Sequence, residues 1–181
     1  STRVYMNGPR TDEEAPLTVY PSDPSDLYNL SKLTGEALCL ASGRQGVRVV
    51  RLSNVVGPGM DPQSGNFVAS LMREAAAGGI LLRSHPDSAK DYIHVGDVVE
   101  WLPRLALEGR HQVYNLASGR QISHRDWAGW VAQKAGCDWS VHSNAQRHNL
   151  PAIDIRRLQA EFGFRAREVS QDGVSLSSLK H

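Results

Sequence analysis

Short β-branched runs alternate with helical stretches along this chain, and that alternation constrains its fold more than any other feature. Val47 to Leu52 is apolar and β-branched with arginines interspersed, so it reads as a strand that delivers Ser53 and Asn54 at its carboxyl end. Ile80 to Leu82, Asp91 to Val95 and Gln112 to Leu116 are further short extended pieces. Between them the spacing turns helical. Asp26 stands as N-cap of a helix running to about Ser42, where Gly43 and Gly46 end it. A second helix spans Phe67 to Ala77 and stops at Gly78-Gly79. Asp97 caps a third over Val98 to Leu107, which Pro103 is expected to kink or cut short. Ser123-His124-Arg125-Asp126 has capping-box spacing before a helix that ends near Gly136, and a last helix covers Ile155 to Phe162. Thr2 to Met6 reads as the tail of a buried strand, and Pro9 to Pro24 as loop. Alternation of this kind predicts an α/β architecture.

Composition narrows the function classes. With 40% hydrophobic and 22% charged residues among 181, the chain is ordinary for a soluble globular domain. A formal net charge of +1 with scattered basic residues gives no electrostatic basis for binding nucleic acid or an acidic membrane. Cys39 and Cys137 are too few and too far apart for a disulfide framework or a zinc knuckle, so buried free thiols are expected. No stretch of eighteen apolar residues and no signal-like amino terminus occurs, which makes the cytoplasm the expected location. Asp91, His94 and Asp97 lie within seven residues of one another, but Asp97 reads as a helix cap and His94 as a half-buried strand histidine, so no metal site is predicted.

The chemistry concentrates near the start. Tyr28 and Lys32 stand four apart on the first helix and so project from one face, one turn apart. A free tyrosine has a pKa of about 10, and a neighbouring ammonium favours its phenolate. Ser1 lies 27 residues before Tyr28 and could hydrogen-bond a substrate oxygen while Tyr28 exchanges a proton with it. A dinucleotide site needs more: a strand, a Gly-rich turn and a helix N-terminus that together hold a pyrophosphate. Neither G-x-G-x-x-G nor G-x-x-G-x-x-G occurs in the chain. Val56-Gly57-Pro58-Gly59 is a poor substitute, because Pro58 has no N–H to donate and no helix follows directly.

The order Ser-Thr-Arg-Val-Tyr, Tyr28-x-x-x-Lys32, Arg51-Leu52-Ser53-Asn54-Val55-Val56-Gly57-Pro58-Gly59, Asp91-Tyr92-Ile93-His94-Val95-Gly96-Asp97 resembles the extended short-chain dehydrogenase/reductases, the NAD-dependent epimerase/dehydratase group acting on nucleotide sugars. Val113 to Gly119 and Asp154 to Leu158 match as well, and the resemblance runs from Ser1 to about Leu179. It implies the carboxyl-terminal part of a Rossmann-like parallel sheet plus a small α/β substrate-binding subdomain. Residues 1–60 would be the last part of the Rossmann-like domain and 61–181 mainly the substrate-binding subdomain, with 91–119 returning to the Rossmann sheet.

The resemblance also implies roles. Ser1 matches the catalytic hydroxyl and Tyr28 the acid/base that takes a proton from a sugar hydroxyl. Lys32 would hold the nicotinamide ribose of NAD or NADP and lower the pKa of Tyr28. Asn54 and Asn66 match asparagines near the substrate diphosphate, although each also fits a loop-capping role. Lys90 stands where the family usually has arginine, keeping the charge but losing the bidentate fork. Arg147 is the candidate for a second phosphate contact and reads equally as a solvated arginine. Arg3 has no assigned role. Because Thr2-Arg3 follows Ser1 where dehydratases carry Asp-Glu, the pattern points to an epimerase or a reductase instead. The implied partner is a nucleotide-diphosphate sugar, with a homodimer for the full-length protein. The rival reading is a non-catalytic domain that keeps the fold to bind a nucleotide sugar or a partner chain.

Overall fold

The architecture is three small sheets joined by helices, in a computed structural model that describes residues 1–148 and 150–169. Strand β1 (Val49–Leu52) pairs in parallel with β5 (Val113–Leu116), Val49 opposite Val113. After Ser53 the chain resumes as β2 (Asn54–Val56), which pairs in parallel with β4 (Ala89–His94). Strand β4 also takes β6 (Gln121–Ser123) on its other edge, antiparallel. Strand β3 (Gly79–Ser84) pairs in parallel with β7 (Asp138–Gln146), with a register shift after Leu82. Helices α1 (Leu27–Ala41), α2 (Phe67–Ala76), α3 (Val95–Glu108), α4 (His124–Ala135) and α5 (Arg156–Phe162) fill the connections. This is the α/β class that the alternation predicts, with parallel pairing across helical connections. Strands β6 and β7 were not predicted. Both are polar, and seven of the nine β7 residues are exposed, so neither carries an apolar period to read.

Two apolar clusters flank β4. Successive strand residues point to opposite faces, and Ile93 joins Val4, Tyr5, Trp101, Leu105, Tyr114 and Leu158 while Tyr92 joins Leu71, Met72, Leu82, Trp127 and Val131. The first cluster is fed by α3, α5 and β5, the second by α2, α4 and β3.

Three local expectations are corrected. Thr2–Tyr5 is a 3₁₀ turn instead of a strand: the Ser1 hydroxyl accepts from Arg3 N at 3.3 Å, and Met6 N donates to Arg3 O at 3.0 Å. Val4 and Tyr5 are both buried in the same cluster, which an extended segment with alternating faces would not allow. Helix α3 starts at Val95, with His94 as its N-cap accepting from Gly96 N, and runs through Pro103 to Glu108. Pro103 and Val99 are both exposed, so the carbonyl that loses its partner faces water, and the helix continues. Asp97 lies in the first turn, 2% exposed, and accepts from Arg167 N at 2.9 Å, which ties the carboxyl-terminal segment to α3. Cys39 and Cys137 are free thiols as expected, but Cys39 is exposed and Cys137 half-buried. The capping box forms in full: the Ser123 hydroxyl accepts from Asp126 N at 3.0 Å while the Asp126 carboxylate accepts from Ser123 N. Residues 170–179, the end of the resemblance, lie outside the described residues. No helix among the described residues is long and apolar enough to cross a membrane.

Candidate active site

Helix α1 is held by a few strong ties. Its first residues follow Asp26, whose fully buried carboxylate accepts from Tyr20 N at 2.8 Å, Asn7 Nδ2 at 2.9 Å and Asn29 Nδ2 at 2.7 Å. Asp26 occupies the N-cap position but spends its side chain on the preceding loop and on Asn29, not on a helix N–H. One turn beyond Lys32, Glu36 accepts from Arg51 of β1 in a two-bond fork, Nε to Oε2 at 3.1 Å and Nη2 to Oε1 at 2.5 Å. Arg51 also donates to Tyr5 Oη at 2.6 Å, and Tyr5 Oη donates in turn to Asn115 Oδ1 of β5 at 2.8 Å. Burial opposes charge on Arg51, yet the bonds to Glu36 and Tyr5 outweigh it and hold the guanidinium above its ordinary value. This buried network fixes the Tyr28 helix to the ends of two strands.

The carboxyl end of β1 and the amino ends of β2 and β4 open on a cleft of about 830 Å³ whose walls include Ser1, Arg3, Tyr28, Lys32, Asn54 and Lys90. Ligands of open α/β sheets bind outside the carboxyl ends of strands, here that of β1. Tyr28 is 46% exposed, with the Lys32 ammonium 5.2 Å from its ring centroid and the Arg3 guanidinium 5.7 Å away. Ser1 caps the 3₁₀ turn that carries Arg3 into the same wall. Asn54 donates from Nδ2 to Asp91 O at 2.9 Å, leaving Oδ1 for other use. Lys90 is half-buried, its ammonium 5.9 Å from the Phe67 ring centroid; burial, with a smaller contribution from Arg3, lowers its pKa. The carboxylate among the lining residues is Asp91, 4% exposed, which accepts from Ser118 N at 2.9 Å; burial pushes its pKa up. Three cationic side chains therefore share the cleft with a single buried acid, an arrangement suited to an anion.

Two predicted positions fall elsewhere. Asn66 is exposed and spends its side chain as N-cap of α2: Oδ1 accepts from Ala69 N at 2.8 Å and Nδ2 donates to Ser64 Oγ at 2.7 Å. Arg147 is exposed just past β7, where its charge helps lower the pKa of Asp87, and neither residue lines the cleft. The cleft also gathers residues that the linear pattern did not single out, namely Arg3, Phe67, Ser84, His124 and His148. His124 was visible only as the start of a helix. Nothing in the sequence placed it against β3 or near Lys90.

The glycines at the end of β2 do not form a phosphate cradle. Gly57 has φ +136°, and a Cβ there would lie 2.8 Å from Val95 Cγ1 and 3.3 Å from His94 Nε2, so close packing against the start of α3 accounts for this glycine. Tyr28 and Lys32 place a phenol beside an ammonium on the cleft wall, and these glycines offer no pyrophosphate site.

Comparison with known proteins finds relatives along most of the chain. The model of the NAD dependent epimerase/dehydratase family matches residues 1–117. The dTDP-glucose 4,6-dehydratase of Streptomyces griseus is 30% identical over 165 residues, covering 86% of this chain and 49% of its own length. The dTDP-4-dehydro-6-deoxyglucose reductase of Escherichia coli is 28% identical over 163 residues, covering 83% and 51% respectively. The chain thus spans about half the length of the curated relatives it matches. Among solved structures, MoeE5 in complex with UDP-glucose and NAD superposes with a TM-score of 0.73 at 26% identity, covering 96% of this chain and 60% of that one. The dTDP-glucose 4,6-dehydratase of Bacillus anthracis in complex with NAD superposes at 0.74 with 22% identity, covering 96% and 56%, a likeness of fold.

Proposed function

Because this chain belongs to the NAD dependent epimerase/dehydratase family, we propose that it is the substrate-facing portion of a nucleotide-sugar epimerase or reductase, with Tyr28 as its proton-transfer group. The observation that carries this reading is the shared cleft: Ser1, Tyr28 and Lys32 line the same space as Asn54 and Lys90. In the oxidative direction Tyr28 takes the proton of a sugar hydroxyl as the carbon loses its hydride, and in reduction it returns that proton to the carbonyl oxygen. A nicotinamide cofactor, NAD or NADP, supplies the hydride acceptor or donor when bound. Lys32 lies over the Tyr28 ring, and it would hold the cofactor ribose. Ser1 would hydrogen-bond the reacting oxygen. Asn54 and Lys90 would meet the diphosphate, and Asn66 and Arg147 would contribute only after rearranging. Thr2-Arg3 after Ser1 offers no acid and base for removing water, which favours epimerisation or reduction over dehydration.

The same reading assigns residues 1–60 and 91–119 to the Rossmann-like part and most of the remainder to a substrate subdomain, supported by the two apolar clusters on either side of β4. It extends to a homodimer of the longer protein through α1, where Leu27 and Leu38 are 71% and 69% exposed. The test is Tyr28→Phe with a dinucleotide-binding half joined upstream: turnover falls by about 10²-fold or more with cofactor affinity nearly unchanged. Wild-type turnover in an assay limited by the chemical step refutes the assignment.

A further inference from the structure

The cleft contains a histidine that the proposed reaction does not use. His124, the first residue of α4, is 2% exposed and stacks on Phe67 of α2 with ring centroids 4.0 Å apart. Its Nδ1 lies 2.6 Å from Ser84 Oγ of β3. Its Nε2 is buried and has no hydrogen-bond partner among the described residues. A buried polar atom without a partner destabilises the fold, so its retention in a ligand cleft calls for a functional reason. The backbone near it offers none, since His124 N and Arg125 N donate to Ser88 O and Pro86 O.

The surroundings indicate the ligand chemistry. The charged and titratable groups facing His124 are Lys90 from β4 and His148 from the segment after β7, while α2 presents the Phe67 ring and β3 the Ser84 hydroxyl. Ser84, Lys90, His124 and His148 all line the cleft. When the Ser84 hydroxyl donates to Nδ1, the ring proton resides on Nε2, which becomes a donor.

We propose that His124, oriented by Ser84, is a ligand-binding residue that donates from Nε2 to an anionic oxygen held beside Lys90, a diphosphate oxygen of the nucleotide sugar. This rests on the functional reading above and deepens it. The pair takes over part of the role of a two-pronged guanidinium: Lys90 supplies a point charge and His124 a directed N–H. Without ligand, burial and then Lys90 and His148 lower the His124 pKa to about 4. An anion alongside favours the imidazolium, so binding near pH 6 draws a proton onto the protein. A merely structural histidine would not do so.

The experiment is calorimetric titration of the full chain with UDP-glucose and with dTDP-glucose, whose diphosphate diesters do not titrate in this range. It is run at pH 6 in two non-phosphate buffers of different ionisation enthalpy. The wild-type chain is expected to bind at least one sugar nucleotide with net proton uptake. His124→Gln should weaken binding by about tenfold, the worth of one charge-assisted hydrogen bond, and abolish the uptake. Ser84→Ala, which keeps the ring and releases its orientation, should weaken binding in the same direction, with thermal unfolding as the check on folding. Unchanged affinity and proton uptake in a folded His124→Gln or Ser84→Ala variant, with binding still lost in Lys90→Ala, overturns the role of His124 and leaves the diphosphate reading standing. Failure of the wild-type chain to bind either sugar nucleotide overturns both.

Discussion

Replacing Glu36 by leucine should destabilise the chain by about 3 kcal/mol, because it strands a buried guanidinium. The Arg51 and Glu36 side chains are only 5% and 12% exposed, so water replaces little of what is lost. The remaining partners of Arg51 are Tyr5 Oη at 2.6 Å and the long contact to Glu13 O at 3.4 Å, neither of which carries a negative charge. Truncating one member of a buried pair costs about 3–5 kcal/mol in general, and the slight exposure of Glu36 places this case at the lower end. Arg51→Met should cost a similar amount, less whatever Glu36 recovers by turning to solvent. The double variant Arg51→Met/Glu36→Leu removes both charges and fills the space with apolar groups, so it should lie within about 1 kcal/mol of wild type. A double-mutant cycle by urea denaturation would therefore give a coupling of several kcal/mol. Single costs under about 1 kcal/mol that add within about 0.5 kcal/mol in the double variant would show that the fork does not dock the Tyr28 helix.

Acid should destabilise the fold through His124. Its folded pKa of about 4 lies below the ordinary 6.5, so the unfolded chain binds the extra proton. The contribution is complete above pH 6.5 and is lost as pH falls towards 4, an upper bound of about 3 kcal/mol. Denaturation midpoints between pH 7 and 4 for wild type and His124→Phe test this, and equal slopes would refute it; the raised pKa of Asp91, which acts in the opposite direction, is common to both proteins. Gly57→Ala should cost about 1–3 kcal/mol, since its φ of +136° and a Cβ contact of 2.8 Å to Val95 Cγ1 leave no relaxed conformation; a loss below about 0.5 kcal/mol in thermal or urea unfolding would contradict that packing. The chain as given should bind NAD only weakly, because its sequence carries neither G-x-G-x-x-G nor G-x-x-G-x-x-G to cradle a pyrophosphate, and a low-micromolar dissociation constant by calorimetry would refute this.

The five helices and the apolar strands were legible in the sequence because their causes are local, whereas the polar strands β6 and β7 and the 3₁₀ turn at Thr2–Tyr5 were not. The apolar spacing of Val98, Trp101 and Leu105 and the Ser123/Asp126 capping box each act within a few residues, and both lie in helices that were expected, although α3 starts earlier, at Val95. Tyr28 and Lys32 were legible for the same reason: four residues on a helix place them on one face wherever the helix docks. What only the tertiary structure decided is where side chains find partners. Asn66 and Asn54 look alike in sequence, yet one is consumed by its own helix while the other reaches the carbonyl of Asp91, 37 residues away. Val4-Tyr5 carries a strand-like composition, but burial of both residues in one cluster and the hydrogen bonds of Tyr5 to Arg51 and Asn115 accompany a 3₁₀ turn. His124 reads as the first residue of a helix and becomes a cleft residue only because α4 packs against β3 and α2. Local pattern sets the backbone period, whereas the direction, charge environment and ligand access of a side chain come from segments far away in the chain.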